Sequence, residues 1–171
     1  MKRIIALLLV VVPCAMAAPE IARREVCQIA EVERVDGKLI PQRGIRIFQL
    51  SGGDLIGEYV QYGGRPFGGS TEFDKHIKAA LRQVPADVSD WNRYLGDCQA
   101  KVQKMTGRNL AVLDGWTTRI LVDFEGTKVD LVGANVGVFI RDLAPYDKRL
   151  AALAHLLDAV AIEVGRGEMA L

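Results

Sequence analysis

The sequence predicts an α+β fold, in which a mainly antiparallel sheet made of two groups of strands packs against about three helices. Two observations predict it. Short β-branched and aromatic segments, bounded by glycine, aspartate and asparagine, occur in two separate parts of the 171-residue chain. Segments with apolar residues at helical spacing lie between and after them. Because no internal repeat or linker divides the chain, we expect a single domain.

The N-terminus has the pattern of a signal peptide. Lys2 and Arg3 precede an unbroken apolar run, residues 4–12. Ala15-Met16-Ala17 then supplies the small residues that a signal peptidase accepts. The apolar run is too short to span a bilayer, so we expect a cleaved leader rather than a transmembrane anchor.

Cleavage after Ala17 would remove residues 1–17 and leave one exported domain, residues 18–171, with no integral membrane segment. We therefore expect a periplasmic or secreted protein. Cys14 raises the alternative of a lipid anchor. Against it, Pro13 stands where a lipoprotein leader has a small residue.

Composition argues against partners that are recognised by bulk charge. Removing Lys2 and Arg3 from the 22 basic residues leaves 20 against 21 acidic residues. A near-zero balance without charge runs predicts no nucleic-acid partner and no anionic membrane surface. The only histidines, His76 and His155, are not grouped with cysteines at ligand spacing, so no metal site is expected. No motif indicates a cofactor.

Two cysteines, Cys27 and Cys98, remain after leader removal. An even pair in an oxidising compartment predicts a disulfide. The two lie 71 positions apart, unlike the C-x-x-C pair of thiol–disulfide enzymes. We therefore expect a structural bridge between the sheet and a helix.

The strands are predicted by β-branched runs and by turn residues. Asp36-Gly37 is a two-residue hairpin signal between Val26–Val35 and a return strand that starts at Lys38 and is interrupted by Pro41. The three-residue spacing of valines in Val26–Val35 also permits a helix. Further strands are expected at Ile45–Leu50, Leu55–Tyr62, Leu110–Leu113, Thr117–Phe124, Lys128–Val132 and Val136–Arg141.

Three helices are predicted. The first follows an N-cap at Ser70 or Thr71 and ends before Pro85. The second begins near Ser89 and ends at Gly107. Its expected buried face carries Trp91, Leu95, Cys98, Val102 and Met105. The third helix is expected from Asp147 to Val164.

A glycine-rich loop, residues 63–71, is the sharpest local feature. Gly64 and Gly69 have the spacing of a phosphate-binding loop, but Ser70 stands where such a loop has lysine. Glycine amides at the helix start, together with Arg65, suggest an anion site. Arg65 and an exposed Phe67 would suit a protein contact. The alternatives are a purely structural connection and a Phe67 that folds back over the core edge.

His76 is the main catalytic candidate. Glu72 lies four residues before it on the same helix face, and Asp74 is close by, so either could orient it as a general base. An ordinary surface pair is the alternative, here and for His155 with Asp158. Other loop residues expected to be exposed are Asp114, Trp116, Asn135 and Tyr146.

Together these features favour an exported, non-enzymatic binding or interaction protein of the cell envelope. It would engage a protein or a small ligand through the loop 63–71 at Gly64, Arg65, Phe67, Gly69 and Ser70. One alternative is a small exported hydrolase that uses His76 with Glu72 or Asp74. Another is a structural envelope component without a ligand.

Overall fold

The structure is a computed structural model that describes residues 22–61, 63–108 and 115–169, with side chains as far as residue 166. These ranges contain six strands and four α-helices, which confirms the predicted α+β class. The strands are β1 (Arg23–Val35), β2 (Lys38–Leu50), β3 (Leu55–Tyr59), β4 (Arg65–Phe67), β5 (Thr117–Phe124) and β6 (Thr127–Ala134). The helices are α1 (Thr71–Gln83), α2 (Trp91–Thr106), α3 (Val136–Leu143) and α4 (Lys148–Met169), with a 3₁₀ turn, Ala144–Tyr146, between α3 and α4.

The six described strands form one antiparallel sheet in the order β4-β3-β2-β1-β5-β6. β1 pairs with β2 on one side and with β5 on the other. The two strand groups, whose relation the sequence leaves open, therefore belong to a single sheet. The predicted strand Leu110–Leu113, Asp114 and the leader lie outside the described residues.

The β1–β2 hairpin follows the sequence prediction. Asp36 and Gly37 have φ of 50° and 78°, the left-handed conformation that a tight two-residue turn requires. The valine spacing in β1 also permits a helix, and the extended pairing of Val35 with Lys38 excludes it. Pro41 does not end β2, because a register shift opposite Val32 accommodates it.

The prediction of a strand at Val136–Arg141 is wrong, because this segment forms α3. β-Branched composition favours a strand, but the buried residues Val136, Ile140 and Leu143 recur at helical spacing. Asn135, in the left-handed conformation with φ of 52°, turns the chain out of β6 and into the helix. Packing of the apolar helical face therefore overrides local strand propensity.

Helix ends mostly follow the predicted caps. Ser70 Oγ accepts the backbone N–H of Phe73, and α1 ends before Pro85. α2 is capped by Asp90 rather than Ser89, and it ends at Gly107 in the left-handed conformation. α4 continues beyond the predicted Val164 to Met169.

The hydrophobic core lies between one sheet face and the helices. Strand residues on this face alternate with outward residues, as the two-residue period requires. The sheet contributes Cys27, Ile47, Ile120, Val122, Val129 and Leu131 to the core. The helices contribute Phe73, Ile77, Leu81, Leu150, Leu153 and Leu157.

The opposite face of the sheet carries ion pairs. They include Arg23 with Glu58, Arg46 with Glu25, and Arg119 with Asp130. Arg23 also lies over Phe48, with its guanidinium carbon 4.4 Å from the ring centroid. Phe48 is only 8% exposed, because long charged side chains cover apolar surface with their stems.

Candidate functional sites

The glycine-rich loop spans the β3–β4 hairpin and the start of α1. Gly63 and Gly64 turn the hairpin, and Gly68 and Gly69 link β4 to the helix, all with positive φ. Arg65 is exposed, as expected. Tyr62 lies outside the described residues.

The Phe67 side chain does not project from this loop. A protein contact at the tip of the loop would require it to do so. Phe67 is 5% exposed and packs on Tyr59 and Phe73, with ring centroids 4.7 and 5.9 Å away. The register of the hairpin places Phe67 opposite Gly57. A Cβ at Gly57 would lie 2.4 Å from the Phe67 ring, and one at Gly68 would lie 2.5 Å from the Phe73 ring. These two glycines therefore make room for aromatic packing.

The first turn of α1 is poorly suited to an anion. Ser70 already accepts the amide of Phe73 through its hydroxyl, 3.1 Å, and that of Asp74 through its carbonyl, 2.9 Å. Glu72 and Asp74 place negative charge in the same turn. Asp74 also accepts the backbone N–H of Leu55 at 2.8 Å, which fixes the helix start to β3. The helix dipole is thus already complemented by the chain's own carboxylates.

His76 pairs with a residue that the sequence did not indicate. Its Nδ1 lies 2.7 Å from Oε1 of Glu163 on α4, and not against Glu72 or Asp74. The Glu163 side chain is 7% exposed and the His76 side chain 33%. Arg166 is a second partner of Glu163 at 2.5 Å. Glu163 is 87 positions from His76, so only the packing of α1 on α4 brings them together.

The predicted disulfide between Cys27 and Cys98 is wrong, because both thiols are free. Cys27 is fully buried on β1, between Ile47 and Val122. Cys98 is on α2, which packs against β6. β6 lies two strands from β1, a separation of about 10 Å at the usual strand spacing.

A small cleft lies where α2 meets the 3₁₀ turn. Its volume is about 100 Å³. Its lining residues are Cys98, Lys101, Val102, Met105, Leu143, Tyr146 and Asp147. Met105 and Tyr146 are 64% and 46% exposed, so the expected burial of Met105 is wrong and the expected exposure of Tyr146 is confirmed.

Polar contacts fix the inner wall of this cleft. Tyr94 Oη donates to Asp147 Oδ2 at 2.7 Å, and Asp147 Oδ1 accepts the amides of Arg149 and Leu150 at the start of α4. Burial, and then the hydrogen bond to Asp147, raise the pKa of Tyr94 to about 12. Burial alone would raise the pKa of Asp147, but the hydrogen bonds from Tyr94 and the two amides outweigh it, and the pKa is lowered. Burial and the nearby Asp147 carboxylate raise the pKa of Cys98.

Two other predicted loop residues, Trp116 and Asn135, meet where β5 begins and β6 ends. Trp116 is 71% exposed at the start of β5, as expected, and its carbonyl accepts the backbone N–H of Asn135. Asn135 is half-buried beside Gly115, where a Cβ would clash with its amide. On α4, Asp158 pairs with Arg141 rather than with His155.

No protein-family model, curated protein or solved structure matches this chain. Among the described helices, none combines the length and apolar character needed to cross a membrane. The described residues also contain no group of three metal-ligating side chains. The function is therefore inferred from the chain's own residues.

Proposed function

We propose that this chain is an exported, non-enzymatic binding protein of the periplasm or the extracellular space, and that it engages a protein partner. The contact is centred on the cleft between α2 and the 3₁₀ turn. The observation that supports it most directly is the pair Met105 and Tyr146, two large exposed side chains that line the same cleft. Tyrosine and methionine are enriched in protein interfaces, where tyrosine often supplies much of the binding energy.

The size of the cleft favours a protein over a small molecule. Sites for small ligands usually measure about 300–1,000 Å³, whereas this cleft measures about 100 Å³. Such a volume suits one apolar side chain of a partner. The buried Val102 and Leu143 supply apolar lining, and Lys101 and Asp147 supply polar groups.

This location replaces the glycine-rich loop as the preferred contact. Binding at the loop depended on an exposed Phe67, and Phe67 belongs to the core. Arg65 keeps its exposed position and serves as the comparison between the two surfaces. Export is inferred from the leader pattern of residues 1–17 alone.

The test is capture of a partner from the producing cell's own envelope extract, with the mature protein as bait. We expect Tyr146→Ala and Met105→Ala each to reduce recovery of the partner at least tenfold, the effect of an interface anchor. Arg65→Ala should leave recovery unchanged. All three residues are exposed, so these substitutions should not disturb folding, which circular dichroism would verify.

Cys98 provides an independent readout of the same contact. It lines the cleft, so a bound partner should slow its alkylation by a maleimide. Unchanged alkylation in the complex would show that the partner does not cover this cleft, and loss of the partner only with Arg65→Ala would move the contact back to the loop. If no partner is captured and no turnover is found, a structural envelope component becomes the better explanation.

A second candidate function, a small exported hydrolase, is favoured by the His76–Glu163 pair. A carboxylate that accepts Nδ1–H orients the imidazole and leaves Nε2 to take a proton from water or a nucleophile. His76→Ala should then abolish turnover of a chromogenic ester, phosphate or glycoside, whereas Glu72→Ala, exposed on the same helix, should not. Equal activity in both variants would reject this candidate.

A further inference from the structure

The two edges of the sheet are protected in different ways. β4 is three residues long and contains Pro66, which has no N–H to offer. β6 has eight residues, Thr127–Ala134, and no described strand pairs with its outer side. A long edge strand offers backbone groups to any other strand, so β6 requires another form of protection.

The backbone groups that β6 directs outward can be identified from its hairpin. The turn at Glu125-Gly126 pairs Phe124 with Thr127, and pairing continues along the ladder. Hydrogen-bonded and outward-facing residues alternate in an antiparallel pair, so Lys128, Asp130 and Val132 direct their amides and carbonyls away from β5.

The first turn of α2 binds these groups. Trp91 Nε1 donates to the carbonyl of Lys128 at 3.2 Å. Asn92 Nδ2 donates to the carbonyl of Asp130, and Asn92 Oδ1 accepts the amide of Val132, both at 2.9 Å. A single side-chain amide thus makes the two bonds that one residue of a neighbouring parallel strand would make. Asn92 occupies the edge in place of a strand.

We propose that the outer edge of β6 is a latent self-association surface, which Trp91 and Asn92 keep closed in the monomer. The partner that it fits is a second copy of the same edge, paired antiparallel about a two-fold axis at Val129. In that register Lys128 of each copy lies directly opposite Asp130 of the other. Both residues are exposed, and the Asp130 carboxylate, already bound by Arg119 of its own chain, would be shared with the partner's lysine. Opposite charges placed directly across a strand pair stabilise it, and a two-fold axis repeats the pair.

The closing element is held by few buried residues. Of the sixteen residues of α2, only Trp91, Leu95 and Val102 are buried. An open cleft of about 440 Å³ already lies beside Trp91 and along Lys128 to Asp130. Elements with few buried apolar contacts open at lower free-energy cost than the core. Removal of both the Asn92 amide and the Trp91 indole N–H should therefore expose the edge, and Trp91→Phe keeps an aromatic ring at the buried position, so the domain should stay folded.

The test is the mass of the mature protein by light scattering over a range of concentrations. We expect no dimer through this edge in the wild-type protein and a twofold rise in mass for the double variant Trp91→Phe/Asn92→Ala, which frees the outward groups of the edge. Adding Asp130→Lys to the double variant should abolish the dimer, because Lys128 then opposes lysine. Adding Lys128→Asp as well should restore it. A folded double variant that stays monomeric, or a dimer indifferent to the charge changes, would overturn the proposal.

Hydrogen exchange tests the closed edge directly. Loss of one hydrogen bond should raise the exchange rate of the Val132 amide by roughly tenfold in Asn92→Ala. If the double variant fails to fold, Trp91→Phe combined with Asn92→Asp keeps the acceptor for Val132 but loses the donors to Lys128 and Asp130, and the same mass measurement applies. Larger, heterogeneous aggregates in place of a dimer would also overturn the two-fold pairing.

Discussion

Gly57 and Phe67 show how the pairing of two strands decides whether a side chain is buried. In the sequence, Phe67 stands between a proline and a glycine, and no periodic pattern assigns it to the core. Strand register does so, because β4 places the Phe67 ring over Gly57. Register depends on which strands pair, and a single sequence does not reveal it. The exposure of Arg65, by contrast, was predictable from its charge.

We expect Gly57→Ala to destabilise the domain by about 1–3 kcal/mol, the usual cost of overpacking a core. The added methyl group would lie 2.4 Å from the Phe67 ring. Urea denaturation provides the measurement. Gly52→Ala is the matched control, since a Cβ at that position would have nothing within 4 Å and the φ of Gly52 is not positive. Equal stability of the two variants would contradict the packing of Phe67.

The lowered pKa of Asp147 predicts a pH dependence of stability. A carboxylate whose pKa is lower in the folded than in the unfolded protein stabilises the fold at any pH above its unfolded pKa, which is near 3.9 for a free aspartate. This contribution is lost as the pH falls through the folded pKa. We therefore expect Asp147→Asn to be less stable than the wild-type protein at neutral pH. The difference should close below about pH 4. Chemical denaturation of both proteins across this range measures it, with the exposed Asp158→Asn as control. A gap that widens in acid would contradict the prediction.

At the scale of elements, turn residues predicted the ends of strands and helices best, and amino-acid composition predicted the type of element least well. Asp36-Gly37 located the first hairpin, and Gly107 located the end of α2, because each position needs a conformation with positive φ. The strand prediction for Val136–Arg141 was wrong because its β-branched residues suit a strand, while the spacing of its apolar residues suits a helix. The sequence did not reveal that Asn92 protects the edge of the sheet, because a polar residue in the first turn of a helix gives no information on which distant residues it contacts.

The His76–Glu163 contact should couple α1 to α4. We expect a double-mutant cycle with His76→Ala and Glu163→Gln to give a coupling of about 1 kcal/mol in the free energy of unfolding, within the usual range for contacting residues. We expect this coupling because the Glu163 side chain is only 7% exposed, so hydrogen bonds to water cannot replace its contact with His76. The Arg93–Asp97 pair, 4.0 Å apart with side chains 82% and 75% exposed, serves as control and should couple far more weakly. Equal coupling in the two pairs would contradict the role of burial.

At the scale of the whole molecule, the sequence predicted the class and most elements but not their arrangement. The two strand groups join through β1 and β5, a pairing between residues almost a hundred positions apart. The same arrangement explains why the disulfide prediction failed. Cys27 and Cys98 were each placed correctly on a strand and a helix, but β5 and β6 separate β1 from the edge where α2 packs. An even number of cysteines gives no information on the distance between two of them in the fold.

The two thiols therefore report on different parts of the domain. Cys27 is fully buried, and burial followed by the charge of Glu25 raises its pKa to about 12, so it is both inaccessible and protonated at neutral pH. Cys98 is partly exposed beside the α2 cleft. We expect mass spectrometry of folded protein that spans residues 18–171 to show alkylation at Cys98 alone, and none after Cys98→Ser. Cys27 should react only as the whole sheet opens, at a rate that rises with denaturant as the unfolding rate does. Reaction of Cys27 under native conditions would mean that β1 is not at the centre of the sheet.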